Sequence, residues 1–344
     1  MSKIRIIIAC CIVAVFTGCY PTGKEISGGI DDVVTDRNNH EILASVPDLN
    51  TENIIVYDSD LEEASSLKAK YIVFDEGIID EIFGSNKMIL ERNEFEASVD
   101  TTGIYTKFDD SSCFSIEPGR LSYYSDMNSP YLQSTYADLT TAGIIPDMLR
   151  DFYTKEKLVN FSVEKGREKS DELIQTLKFN DAENIGYYSV DAETVNDNKL
   201  QDKDGNDIPD WGKEQEMYTY LYAQMYNGIP LFDTYISVSV DRNMDIVKTA
   251  VDGYMTDFQE TEKSEICDYN TALSKLIDYY SDIIIEEPIN IRNCILTYAV
   301  TNWNAEITYT LEPVWAFTAE VTENGDSYIS TIMVNAYNGQ ILII

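Results

Sequence analysis

This sequence predicts an α+β fold in which antiparallel sheets are each covered by helices, and three observations carry the prediction. Between residues 217 and 240, aromatic and β-branched side chains alternate with small and polar ones, the period-two pattern of half-buried strands. Asn-Gly pairs at 227–228, 324–325 and 338–339 stand between such runs, where a tight hairpin needs positive φ. Ala272, Leu273, Leu276, Ile277 and Tyr280 recur at helical spacing, a stripe that wants a sheet to cover.

The N-terminus reads as an address. Lys3 and Arg5 precede an apolar run, Ile6–Phe16, that is short for a permanent membrane span. The run closes on Phe16-Thr17-Gly18-Cys19, which resembles a bacterial lipobox with Phe16 where Leu is usual. The resemblance implies cleavage before Cys19 and lipidation of its thiol, hence a cell-membrane, lipid-anchored protein on the extracytoplasmic face. An ordinary signal peptide with an incidental Cys is the alternative. More than one acyl chain anchors stably, whereas a single chain binds only marginally. Residues 19–50 lack apolar periodicity, contain Pro21, Gly23, Gly28 and Gly29, and read as a lipidated flexible tether.

Composition then narrows the function. A net charge of −35, made more negative when Lys3 and Arg5 leave with residues 1–18, argues against nucleic acid and against docking on anionic lipid by charge. A hydrophobic content of 44% keeps the chain on the globular side despite that charge. Two folded domains are expected, over 51–200 and 201–344, in preference to a single large one. Of six cysteines, Cys113, Cys267 and Cys294 remain after the leader and the lipid site, at no metal or disulfide-framework spacing. A Cys267–Cys294 bridge stays open as an alternative to three thiols.

In 51–200 the elements are short. Ile54–Val56 and Tyr71–Phe74 suggest strands, Gly77–Phe83 a helix closed by Gly84, and 95–98 with 103–108 a hairpin. The Tyr-rich stretch 120–136 reads as a long loop. Helices are expected over Ile144–Phe152, and from a Ser170 cap through Leu173, Ile174 and Leu177. In 201–344, the 216–254 meander runs through Asn227-Gly228 and Asp241–Asn243. A helix capped by Asn270 follows to about Ser281, and then strands over 289–300, 307–319, 329–337 and 340–344. Pro313 marks an edge or a bulge, and Trp315 reads as core.

Three sets of residues are candidate sites. Asp202, Asp204, Asn206, Asp207 and Asp210 could converge on a hard cation such as Ca²⁺, which needs six to eight oxygens. The run resembles a thrombospondin type 3 calcium loop, with Asp207 where the second Gly belongs; a solvated acidic turn is the other reading. The sequence thus implies no cofactor, with calcium as the one alternative. Tyr218, Tyr220 and Tyr222 could anchor a partner strand at a free sheet edge, or merely cover the sheet's own helix. Cys19 is the lipidation site. Catalysis lacks a base: the single histidine, His40, lies in the tether, and no HExxH, P-loop or dinucleotide fingerprint occurs.

Two resemblances extend this reading over the last two-fifths of the chain. Tyr222-x-Gln224-x-Tyr226-Asn227-Gly228-Ile229-Pro230-Leu231, followed by Ile236-x-Val238-x-Val240-Asp241, resembles the propeptide region of thermolysin-type peptidases and the PepSY domains. Pro313-Val314-Trp315-x-Phe317 and Val334-Asn335-Ala336-x-Asn338-Gly339 are similar to the closing strands of PepSY and YycI/YycH-like surface regulators. Together they imply two PepSY/cystatin-like layers and a non-catalytic binding or regulatory lipoprotein that restrains a protease or a sensor protein. A solute- or calcium-binding surface lipoprotein is the competing class.

Overall fold

The computed structural model describes residues 46–52, 54–57, 61–98, 101–127, 129, 157–197, 207, 209–232, 234–285, 287–301, 308–323 and 326–342. Short strands β1 (Leu49–Asn50) and β2 (Ile55–Tyr57) come first, then β3 (Glu63–Tyr71). In β3, Leu67 and Ala69 are buried while Lys68 and Lys70 face solvent, but Ala64 and Ser65 are buried side by side, so the alternation holds only over the second half of the strand. Helix α1 (Glu76–Gly84) begins where the Asp75 carboxylate accepts from the Ile78 N–H at 3.1 Å. Two hairpins follow: β4 (Ile89–Ser98) with β5 (Thr101–Phe108), and β6 (Cys113–Glu117) with β7 (Arg120–Tyr124).

Helix α2 (Val163–Thr176) is capped by Ser162, whose hydroxyl accepts from Lys165 N–H, eight residues before the predicted cap at Ser170. Next come β8 (Ala182–Val190), short helix α3 (Ala192–Asp197), and the meander β9 (Met217–Tyr226), β10 (Ile229–Pro230), β11 (Tyr235–Asp241) and β12 (Ile246–Asp252). Asn227 and Gly228 both take positive φ, 50° and 80°, as the hairpin turn requires. The chain continues into β13 (Met255–Glu265), helix α4 (Tyr269–Ser281), β14 (Ile289–Val300), β15 (Tyr309–Glu323), β16 (Asp326–Asn335) and β17 (Ile341–Leu342). Asp268 caps α4 by accepting from Thr271 N–H at 2.8 Å, two residues before the predicted Asn270.

These strands form two sheets. The nine-stranded sheet runs β10-β9-β11-β12-β7-β6-β5-β4, with β8 along the other side of β9. The eight-stranded sheet runs β1-β14-β15-β16-β17, with β2 on β14 and β3 and β13 added beyond β15. Both sheets draw strands from either side of residue 200. Leu49 and Asn50, at the end of the stretch read as a tether, pair in parallel with Ile289 and Asn290.

This corrects the predicted α+β class. The protein is mostly β, two large sheets with few helices, and not a pair of helix-covered PepSY/cystatin-like layers. The reason is visible in β13: Met255 is buried, but the carboxylates and amides that follow are exposed, so pairing with β3 holds a strand that leaves almost no apolar period. Tyr71–Phe74 ends a strand rather than forming one, and 120–124 is strand β7 rather than loop. The helix expected at 144–152 lies outside the described residues.

The sheets meet at the β10–β11 connection. Leu231 bridges to Tyr298, the Phe232 N–H donates to the Tyr298 carbonyl at 2.8 Å, and the Thr297 hydroxyl donates to the Pro230 carbonyl at 2.7 Å. Pro313 sits where β15 exchanges one neighbour, β3, for another, β16, so its missing N–H falls at a seam in the ladder. Trp315 is core, as expected, with its indole N–H donating to the Cys267 carbonyl at 2.9 Å.

Candidate functional site

The β9 tyrosines are the first candidates, and the structure puts all three inside. Tyr218, Tyr220 and Tyr222 are at most 2% exposed. Each hydroxyl is consumed by α2 or by the segment that leads into it. Tyr218 accepts from the Leu158 N–H at 2.5 Å, Tyr220 donates to the Val163 carbonyl at 2.7 Å, and Tyr222 bonds Ser170 and Asp171 at 2.8 and 2.7 Å. Burial pushes the Tyr220 and Tyr222 phenols well above their ordinary pKa. The partner-anchoring reading is therefore corrected: these residues fasten the sheet's own helix. Gly166 permits it, since a Cβ there would overlap the Tyr220 hydroxyl.

A second fastening joins the β11–β12 turn to the segment that leads into α2 and, through Glu216, to the start of α3. Glu216, almost fully buried, takes a forked contact from Arg242 and accepts from the Ala192 N–H at 3.3 Å. Arg242 also donates to the Val159 carbonyl at 2.8 Å and lies over the Phe161 ring. A buried carboxylate is tolerable only with such a partner.

Beside this assembly, an open groove of about 630 Å³ runs between α2 and the start of β8. Arg167, Asp171, Gln175 and Glu183 supply its polar lining, with Tyr222 at its base. The Asn184 amide is spent on the Gly186 and Leu221 carbonyls. A smaller cavity, about 190 Å³, opens between α1 and α2 beside Lys87. The Lys87 ammonium is held by Ser112 at 2.8 Å and Asp110 at 2.9 Å and lies over the Phe108 and Tyr123 rings. In the larger space, Arg167 and Asp171 also pair with each other.

The calcium candidates are not brought together in the described residues: Asp207 and Asp210 are exposed, while Asp202, Asp204 and Asn206 lie outside them, as does Cys19. Among the described residues no group of three or more His, Cys, Asp or Glu could hold a metal ion. Cys113, Cys267 and Cys294 carry thiols, and no disulfide joins Cys267 to Cys294. No described helix is long and apolar enough to cross a membrane.

The sequence names Gln224 only as part of a motif, and the structure gives it a joining role. Gln224 is fully buried on the same face as the tyrosines, between the two sheets. Its signal was its place: an amide in an inward-facing row of phenols needs partners, and it finds them in Asp181 and Met255.

The fold and these fastenings define a two-sheet β protein. The chain matches the model of the YycI protein family over residues 149–337, more than half its length, and belongs to that family. This is a regulatory family that works with sensor kinases. The chain also resembles the crystal structure of an uncharacterized protein from Eubacterium rectale ATCC 33656. The two share 15% identity with a TM-score of 0.61, over 86% of this chain and 89% of the other, which speaks to the fold alone. Among curated proteins there is no significant match.

Proposed function

We propose that this protein is a non-catalytic regulatory module of the extracytoplasmic membrane surface, tethered through a lipidated Cys19, that acts on the sensing part of a membrane kinase. Membership of the YycI family across 149–337 is the observation that carries this reading. The leader ending in Cys19 supports the address, and the acidic surface supports a folded part that stands away from anionic headgroups. Restraint of a surface protease, which the PepSY resemblance implies, has no comparable support.

The test is a tagged full-length chain recovered from native membranes, with a tether-only chain as control. Enrichment of a sensor kinase over the control is the expected result; recovery of none speaks against the reading. Cys19→Ala should move the protein from membrane to medium. Membrane retention unchanged by that substitution would remove the anchor from the account.

A further inference from the structure

Strand β4 ends the nine-stranded sheet. It pairs with β5, and among the described residues no strand lies on its other side. Open backbone N–H and C=O groups along such an edge are a template for another strand. Between Glu91 and Glu96 the pairing with β5 is regular, and register shifts occur only at the two ends. Large apolar side chains are exposed along and beside this strand: Met88 at 61%, Ile89 at 43%, Leu90 at 58% and Phe95 at 37%. The Phe95 ring lies against the β5 backbone at Gly103, where any Cβ would collide with it.

The comparison with β13, an outer strand of the other sheet, is instructive. That strand has two register shifts and no exposed large apolar residue, the usual ways of blunting an edge. β4 has no register shift between Glu91 and Glu96, and what guards it there is charge, which turns away some strands and not others. Its charge says what would fit there. Glu91, Glu94 and Glu96 are exposed, and the one cation of the strand, Arg92, is held by Glu76 at 2.7 Å and Asp80 at 2.6 Å. A second copy of this chain would bring more carboxylates to an acidic edge, on a molecule already at −35. A basic strand would meet opposite charge instead.

We propose that β4 takes up an extended partner segment as an added strand, and that the segment alternates basic with apolar residues. Backbone hydrogen bonds supply the pairing, Glu94 and Glu96 meet lysines or arginines, and Ile89, Leu90 and Phe95 meet the apolar side chains. The inference concerns the chemistry of the edge and does not depend on which protein supplies the segment.

A fluorescent ten-residue peptide of alternating Lys and Val tests it against the full-length chain, with a Glu/Val peptide as counterpart. Binding should slow hydrogen exchange in 91–96. Replacing Glu91, Glu94 and Glu96 together by Lys should weaken the Lys/Val peptide about tenfold or more and favour the Glu/Val peptide. The milder Glu94→Gln, which preserves shape, should weaken it in the same direction. Three matched replacements elsewhere, Glu63→Lys, Glu262→Lys and Glu265→Lys, should leave binding nearly unchanged. Absence of binding, or equal loss in both triple variants, overturns the proposal. So does a concentration-dependent dimer that the β4 variant dissolves, because a second copy would then be the occupant. Failure here leaves capture of a kinase untouched, so the two results are separable.

Discussion

Gln224 and Met255 are paired in both directions: the Gln224 amide donates to the Met255 carbonyl at 2.6 Å and accepts from the Met255 N–H at 2.9 Å. The glutamine belongs to the nine-stranded sheet and the methionine to the eight-stranded one, so a side chain completes a strand-like pairing across the joint. Asp181 accepts a further bond from the same amide at 2.7 Å and another from the Tyr254 hydroxyl. Burial, reinforced by Asp181, raises the Tyr254 pKa above its ordinary value.

Gln224→Ala should therefore destabilise the protein by about 3 kcal/mol, since it strands buried donors and acceptors on both sheets. Gln224→Glu should fare no better, because a carboxylate has no hydrogen to give Asp181 or the Met255 carbonyl. Urea unfolding, followed by tryptophan fluorescence and circular dichroism, measures both. A midpoint unchanged in either variant would mean that the joint does not rely on this amide.

Gly166 and Tyr220 should behave as a coupled pair. Gly166→Ala places a methyl group on the Tyr220 hydroxyl and should cost about 1–3 kcal/mol despite the better helix propensity of alanine. Tyr220→Phe removes the obstructing oxygen, so adding it to Gly166→Ala should recover part of the loss. A double-mutant cycle gives the coupling, and strict additivity would place the strain elsewhere.

Wholly buried Tyr220 and Tyr222 and partly buried Tyr105 should make the fold sensitive to alkali. Burial first, and then Cys113, pushes Tyr105 up to about 12, and Tyr220 and Tyr222 are shifted in the same direction. Each holds its proton more tightly folded than unfolded. Their contribution is thus complete below the ordinary phenol value, near 10, and is lost as pH rises through the folded values. Phenolate absorbance should lag behind that of the urea-unfolded chain above about pH 10 and then rise together with loss of structure. A titration matching the unfolded chain would contradict the buried placement.

The ion pair of Glu216 and Arg242 should be stronger to break than to replace. Glu216→Ala leaves a half-buried guanidinium without its carboxylate and should cost about 3 kcal/mol, while the Glu216→Ala/Arg242→Ala pair should lose clearly less than the sum of the singles. Thermal unfolding of the four proteins decides it.

Where side chains carried the pattern, the architecture could be read before the structure. The Asn227-Gly228 turn and the stripe of α4 appear as expected. The Tyr218–Tyr226 alternation does mark a strand, but β9 is buried on both faces rather than one: Tyr218, Tyr220 and Tyr222 pack with α2, while Leu221, Ala223 and Met225 pack into a second cluster on the other side. β3 and β13 could not be read that way. Their pairing is backbone to backbone, with β13 almost wholly polar after Met255, and adding them turns an expected helix-covered layer into an eight-stranded sheet. Helix starts were misplaced for a related reason. Ser162 and Asp268 cap, while Ser170 points inward to Tyr222, and a sequence shows several eligible oxygens without saying which lies beside the free N–H groups. The same limit applied to the tyrosines: a phenol row looks alike whether it meets a partner or its own helix.

The central claim, regulation of a membrane sensor kinase from outside the membrane, is tested most directly by phosphoryl transfer. The kinase that co-purifies would be placed in vesicles with its sensing part accessible, and autophosphorylation followed as the full-length protein is added. The account predicts a saturable change in rate, retained in Tyr222→Phe, whose hydroxyl serves α2. A rate unaffected at saturating protein would contradict it.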